Sequence, residues 1–134
     1  MKITDLQLGD WVKYVKGNIT YYRKVRALDD GGTVVLNVGV GTMTVNIDKL
    51  TPIDITEELL FKNEFTFEED LEDSYYVSKD RRVVLCEDTN SNKRWYVHID
   101  NADMDSVLTC EINYLHELQH CYGMAEMEKE FLAK

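Results

Sequence analysis

Proline occurs once in the 134 residues and glycine only 7 times. Collagen-like and proline-rich linker architectures are thereby excluded. Cysteine is scarce as well. Cys86, Cys110 and Cys121 are odd in number and lack CxxC spacing, so neither a secreted disulfide framework nor a zinc ribbon is expected, and reduced thiols in a cytosol are the simpler reading. No stretch approaches the ~20 apolar residues of a membrane span. The opening Met1-Lys2-Ile3-Thr4-Asp5 enters polar sequence without an apolar signal core, and a cytoplasmic location is expected. Basic residues are outnumbered 15 to 25, giving a net charge of -10 that argues against nucleic acid and anionic membrane as partners. What is abundant is ordinary folding material, with 44% hydrophobic residues, 30% charged residues and 8 Tyr. A chain of this size fits one domain or two small halves, with a core that needs no disulfide or metal.

Charge is unevenly distributed. Through Thr51 the chain carries 7 Lys/Arg and 5 Asp/Glu, and from Pro52 onward it carries 8 and 20. Charge balance and periodicity both change there, so the boundary is placed at Thr51-Pro52, giving halves 1–51 and 52–134. The expected fold class is α+β: a small half-open antiparallel β-barrel, then a helix, an antiparallel meander and a covering C-terminal helix. In the first half the strands are Trp11 to Val15, Ile19 to Leu28, Thr33 to Val38 and Thr42 to Ile47. They are joined by hairpin turns at Lys16-Gly17-Asn18, Asp29-Asp30-Gly31-Gly32 and Gly39-Val40-Gly41. Val34, Leu36 and Val38, then Met43, Val45 and Ile47, alternate with polar residues, the pattern of a half-buried sheet.

In the second half Asp54 or Thr56 can cap a helix over Glu57-Glu58-Leu59-Leu60-Phe61, whose two glutamates favour its first turn. Strands are expected at Ser74 to Ser78, Arg82 to Glu87, Arg94 to Ile99 and Ser106 to Ile112, with Asp88-Thr89-Asn90-Ser91-Asn92 as a loop. Asn113 is the expected cap of a last helix reaching about Leu132 and weakened at Gly123. Its apolar stripe is Tyr114, Leu115, Leu118, Cys121, Tyr122, Ala125 and Leu132.

One motif carries chemistry. His116-Glu117-Leu118-Gln119-His120 matches HExxH, in which two histidines one turn apart hold zinc and the glutamate activates the bound water. A catalytic zinc also needs a third protein ligand. Only 14 residues follow His120, and Glu126, Glu128 and Glu130 fall on the same expected helix. His98 and Cys110 are the upstream candidates, without diagnostic spacing. On the wheel the histidines lie opposite the apolar stripe, beside Met124, Met127 and Phe131, which reads as an exposed or interface side of a core helix. That second apolar strip suggests contact with the first half or with another copy, as in a homodimer.

Three segments carry a resemblance. Thr4-Asp5-Leu6-Gln7-Leu8-Gly9-Asp10-Trp11-Val12, Leu50-Thr51-Pro52-Ile53-Asp54-Ile55-Thr56-Glu57-Glu58-Leu59-Leu60 and Ile112-Asn113-Tyr114-Leu115-His116-Glu117-Leu118-Gln119-His120 resemble a group of short uncharacterised proteins of anaerobic gut bacteria and their phages or mobile elements. The group pattern reads HQLQN where this chain has Glu117 and His120, which implies relatives that share the fold without the zinc constellation. The resemblance implies an architecture and no activity.

Four functions are weighed on this basis. The first is a noncatalytic binding or adaptor protein with a protein partner, no enzymatic activity and no cofactor. The second is a small zinc hydrolase using His116, Glu117 and His120. The third is nucleic-acid binding through Tyr21-Tyr22-Arg23-Lys24-Val25-Arg26, whose aromatics could stack on bases while arginines meet phosphates. The last is nucleic-acid mimicry by the acidic second half. Gly39-Val40-Gly41 is too short for a phosphate loop.

Overall fold

The chain divides into two compact units, Met1–Ile53 and Asp54–Leu132. The computed structural model describes residues 1–88, 94–101 and 106–134, with the backbone alone at Ser106. The first unit is a five-stranded antiparallel sheet built from β1 (Trp11–Lys16), β2 (Ile19–Asp29), β3 (Thr33–Val38), β4 (Gly41–Asn46) and β5 (Leu50–Thr51). Its order is β4-β3-β2-β1-β5. The three expected hairpins join β1 to β4, and Gly17 and Gly39 take the left-handed backbone their turns demand, at φ 62° and 60°. Alternation buries Val34 and Leu36 on β3 and Val45 on β4, together with Leu6, Val12, Val25 and Leu50. At Arg26 the register of β2 against β3 slips by one residue, a bulge that adds local twist. No pairing links β4 to β5 among the described residues, so the ladder does not close.

Two details depart from expectation. Ile47 leaves the strand because the Asn46 side chain accepts a hydrogen bond from Asp48 N at 3.2 Å and starts a 3-10 turn over Ile47–Lys49. The short β5 that follows, paired with Lys13 and Tyr14, has too few residues to show a period.

The second unit opens on α1 (Glu57–Lys62), with Thr56 Oγ1 accepting from Leu59 N at 3.1 Å as the expected cap. Five antiparallel strands follow: β6 (Thr66–Glu69), β7 (Ser74–Val77), β8 (Val83–Glu87), β9 (Trp95–Asn101) and β10 (Ser106–Ile112), in the order β10-β9-β8-β7-β6. Along β9, Trp95, Val97, Ile99 and Asn101 are buried, whereas Tyr96, His98 and Asp100 are exposed. The unexpected strand, β6, is an edge strand. Its run Glu68-Glu69-Asp70 hides the alternation, and an edge tolerates such charge. The expected loop from Asp88 to Asn92 lies, beyond Asp88, outside the described residues. Among the described residues no helix is long and apolar enough to cross a membrane.

α2 (Leu115–Met124) is shorter than expected. Its N-cap is Tyr114 rather than Asn113, and the backbone N–H groups of both residues donate to one oxygen of Glu117, at 3.0 and 2.9 Å. It stops eight residues early because Met127 N donates to Tyr122 O at 2.9 Å and Glu126 N to Gly123 O at 3.1 Å, a Schellman closure. α1 ends identically, Phe65 N to Leu60 O at 3.0 Å and Glu64 N to Phe61 O at 3.1 Å. In both closures the left-handed position that favours glycine is held by glutamate, Glu64 at φ 66° and Glu126 at φ 57°. The glycine that usually marks such a stop is therefore absent from that position in both helices. Glu126→Gly relieves that backbone strain and should raise stability by about 0.5–1 kcal/mol, seen as a higher urea midpoint with an unchanged slope.

Candidate functional site

The HExxH residues are brought together on the first turns of α2, but each is held by structure. Glu117 closes the helix N-terminus through the two backbone N–H groups named above. His116, expected on the wet side, is only 5% exposed, because the Tyr114 ring lies almost parallel to it at 5.8 Å. The His120 ring meets it edge-on at 5.6 Å. Neither upstream candidate joins them. His98 is exposed on the face of β9 opposite Val97, whereas Cys110 pairs directly with Val97 on the buried face. The Cys110 thiol shares a hydrogen bond with Cys121 of α2, and burial together with that bond pushes the Cys121 thiol upward, away from thiolate. Among the described residues no three His, Cys, Asp or Glu side chains converge as a metal site. The Met124, Met127 and Phe131 strip is not continuous either. Met124 is 63% exposed, while Phe131 lies beyond the helix and packs edge-on against Tyr122 at 5.0 Å.

On β2 the basic and aromatic run folds onto itself. The Arg23 guanidinium sits 5.0 Å from the Tyr21 ring and donates to Tyr22 O at 2.9 Å, and Tyr21 in turn stacks on Tyr14 at 6.1 Å. Lys24 Nζ lies 5.4 Å from the Trp11 ring. Of the three cations, Arg23 and Lys24 are half-buried and Arg26 is exposed.

A chemically distinct feature of the second unit is a cavity of about 510 Å³. Its floor is Trp95, with Tyr76 edge-on at 5.6 Å, and both rings are buried. The N-terminus of α1 brings Glu57, the end of β8 brings Glu87, and the isolated bridge between Asp54 and Tyr114 brings a third carboxylate. Tyr76 is fixed from two further sides by Phe67 at 5.2 Å and Phe61 at 6.0 Å. Its hydroxyl donates to Glu57, and burial, that bond, and the charges of Glu57 and Glu87 push its pKa up to about 12. Asn113 Oδ1, also on the wall, is buried with no donor among the described residues.

No known family model, curated protein or solved structure matches the chain.

A second cavity, about 420 Å³, lies on the outer face of β8, β9 and β10 beside Cys86, His98 and Glu111. Burial and the charge of Asp73 push the Cys86 thiol upward, opposite to what a nucleophile requires, and Glu111 is bonded to Arg94 at 3.1 Å. The acidic and aromatic cavity is thus the better-formed site, and sequence offered no spacing for it: its residues come from segments up to 60 positions apart, Asp54 to Tyr114. Excess acid after Thr51 was the only signal.

Tyr76 also sets an alkaline limit. Folding favours its protonated form, so its contribution is complete below the unfolded value of 10 and is lost as pH rises toward 12. Phenolate absorbance lost in Tyr76→Phe should mark the Tyr76 step, which appears above pH 10 and only as the second unit opens.

Proposed function

We propose that this protein is a noncatalytic binding or adaptor module whose acidic second unit receives a positively charged protein partner. What carries the reading is the cavity, where Asp54, Glu57 and Glu87 have no cationic side chain paired to them among the described residues while aromatic rings form the floor. Structural use of Glu117 and His116 supports a reading without zinc chemistry. The internal engagement of Arg23 and Lys24 supports a protein over a nucleic-acid partner. Curling of the first sheet into a half-open barrel, a cytoplasmic location, and kinship with the gut-bacterial and phage group belong to the same proposal, which leaves homodimer formation open to measurement. A nucleic-acid mimic would share the charge but has no need of an aromatic-floored cavity.

A labelled lysine-rich peptide and a labelled single-stranded oligonucleotide, titrated in parallel, test it. The peptide should bind and weaken as salt rises, and the oligonucleotide should not bind at low salt. Chelator-free protein should carry no zinc and keep its melting temperature when zinc is added. One zinc per chain, lost in His116→Ala together with a hydrolytic activity, would replace the module with the HExxH hydrolase. Oligonucleotide binding that Arg23→Ala abolishes would move the function to β2.

A further inference from the structure

We infer that the cavity beside Trp95 takes a single alkylammonium group, the side chain of a partner's lysine, which lies against the Trp95 and Tyr76 rings and is neutralised by Glu57 and Glu87. This deepens the binding-module reading and rests on it.

The walls define the ligand by what they lack. All three charged groups lining the cavity are carboxylates, with no cationic side chain on its wall. The proton of the Tyr76 hydroxyl is already directed at Glu57, so that oxygen offers further visitors only its lone pairs. A visitor must therefore bring positive charge and several donors.

A bare metal ion does not fit. Divalent cations bind where several oxygens converge to within about 2.1–2.6 Å of one point. Here the carboxylates stand apart on α1, on β8 and at the Asp54 bridge, and no three metal-ligating side chains converge among the described residues. Separated acceptors around aromatic rings suit a cation that is itself extended. An ammonium on an alkyl stem can direct its donors at the separated carboxylates of Glu57 and Glu87, while its methylenes cover the apolar floor formed with Ile55. Arginine is a poorer match because its planar fork favours one bidentate carboxylate over separated ones. The same ammonium could belong to a free diamine. A protein source is favoured because 20 carboxylates against 8 basic residues after Thr51 attract an extended basic segment more strongly than one small ion.

The test uses full-length protein carrying Trp11→Phe, which leaves Trp95 as the only tryptophan. Three probes are titrated against its fluorescence: a blocked peptide with one central lysine, the same peptide with norleucine, and butylammonium. The lysine peptide should give a saturable change and the neutral isostere none. Glu87→Gln should weaken binding about tenfold, and Glu57→Gln, which keeps an acceptor for Tyr76, by a similar factor. Glu69→Gln, which removes the same charge away from the cavity, should alter binding less than twofold. Thermal melts establish that each variant is folded. Should Glu57→Gln not fold, Glu87→Gln, at an exposed strand end, decides alone.

An equal response to norleucine, or unchanged affinity in folded Glu87→Gln, overturns the inference. Lysine-rich peptide binding that persists at full strength in that variant leaves the binding module standing and removes this site. Butylammonium binding without any peptide binding overturns the lysine source, and with it the protein-partner reading, in favour of a small-amine receptor.

Discussion

Asn63→Ala should lower the stability of the second unit by about 2–3 kcal/mol, a large effect for one small polar side chain. Asn63 is 4% exposed and ends α1. Its Nδ2 donates to Leu59 O at 2.9 Å and to Leu132 O at 2.8 Å, while its Oδ1 accepts from Leu132 N at 2.7 Å. One amide thus closes a helix and clamps, on both its N–H and its C=O, a residue 69 positions later. Alanine leaves the N–H and C=O of Leu132 without their partner and takes one of two donors from Leu59 O, which the backbone N–H of residue 63 still serves. Water can reach both groups of Leu132, which is 53% exposed by residue, so the cost falls below the sum of three fully buried losses. Two measurements check this: the urea midpoint falls, and amide exchange at Leu132 speeds up at least tenfold. Asn46→Ala, which removes a single exposed bond to Asp48 N, should change stability by less than about 1 kcal/mol. An effect of Asn63→Ala no greater than this control would mean that the last residues are held some other way.

Asn63 also shows where sequence stops being informative. Strands β1 to β4 and β7 to β10 were readable because period-2 alternation and turn residues are local signals, most cleanly over Trp95 to Asn101. Thr56 was readable as a cap for the same reason. The end of α2 was not, since Glu126 adopts the left-handed backbone that glycine would have advertised, whereas α1 ends within one residue of its expected limit at Phe61. Buried His116 was misplaced because a helical wheel knows nothing of Tyr114, which leaves the helix and turns its ring back over the imidazole. The HExxH match was legible as spacing, yet its glutamate serves a helix terminus, a use that the capping-box spacing also fits. As for the cavity, charge bias announced acidity but no spacing could gather Asp54, Glu57, Glu87 and Trp95.

Phe65→Ala is expected to be costlier still, about 3–5 kcal/mol, the range for emptying a buried aromatic site. Small domains are stable by only about 5–15 kcal/mol, so this one change removes a large share. Phe65 heads the largest fully buried side chains and is 2% exposed. Its position explains why its site cannot easily collapse. Its own N–H closes α1 on Leu60 O, which fixes the backbone next to Asn63. On the C-terminal segment, Lys129 Nζ lies 5.9 Å from its ring and 5.6 Å from that of Phe131, which in turn packs on Tyr122 of α2. The void would therefore lie between elements already fixed by hydrogen bonds, and the cavity term adds to the lost transfer energy. At about 4–8 °C per kcal/mol for a unit of this size, the transition reported by Trp95 in a Trp11→Phe background should fall by about 15 °C or more. Phe67, two residues on, provides the contrast. It is 45% exposed on edge strand β6 and meets Tyr76 at 5.2 Å, so Phe67→Ala should cost about 1 kcal/mol. Equal costs at the two positions would show that burial does not separate them, and the second unit would need a core other than the one built around Phe65.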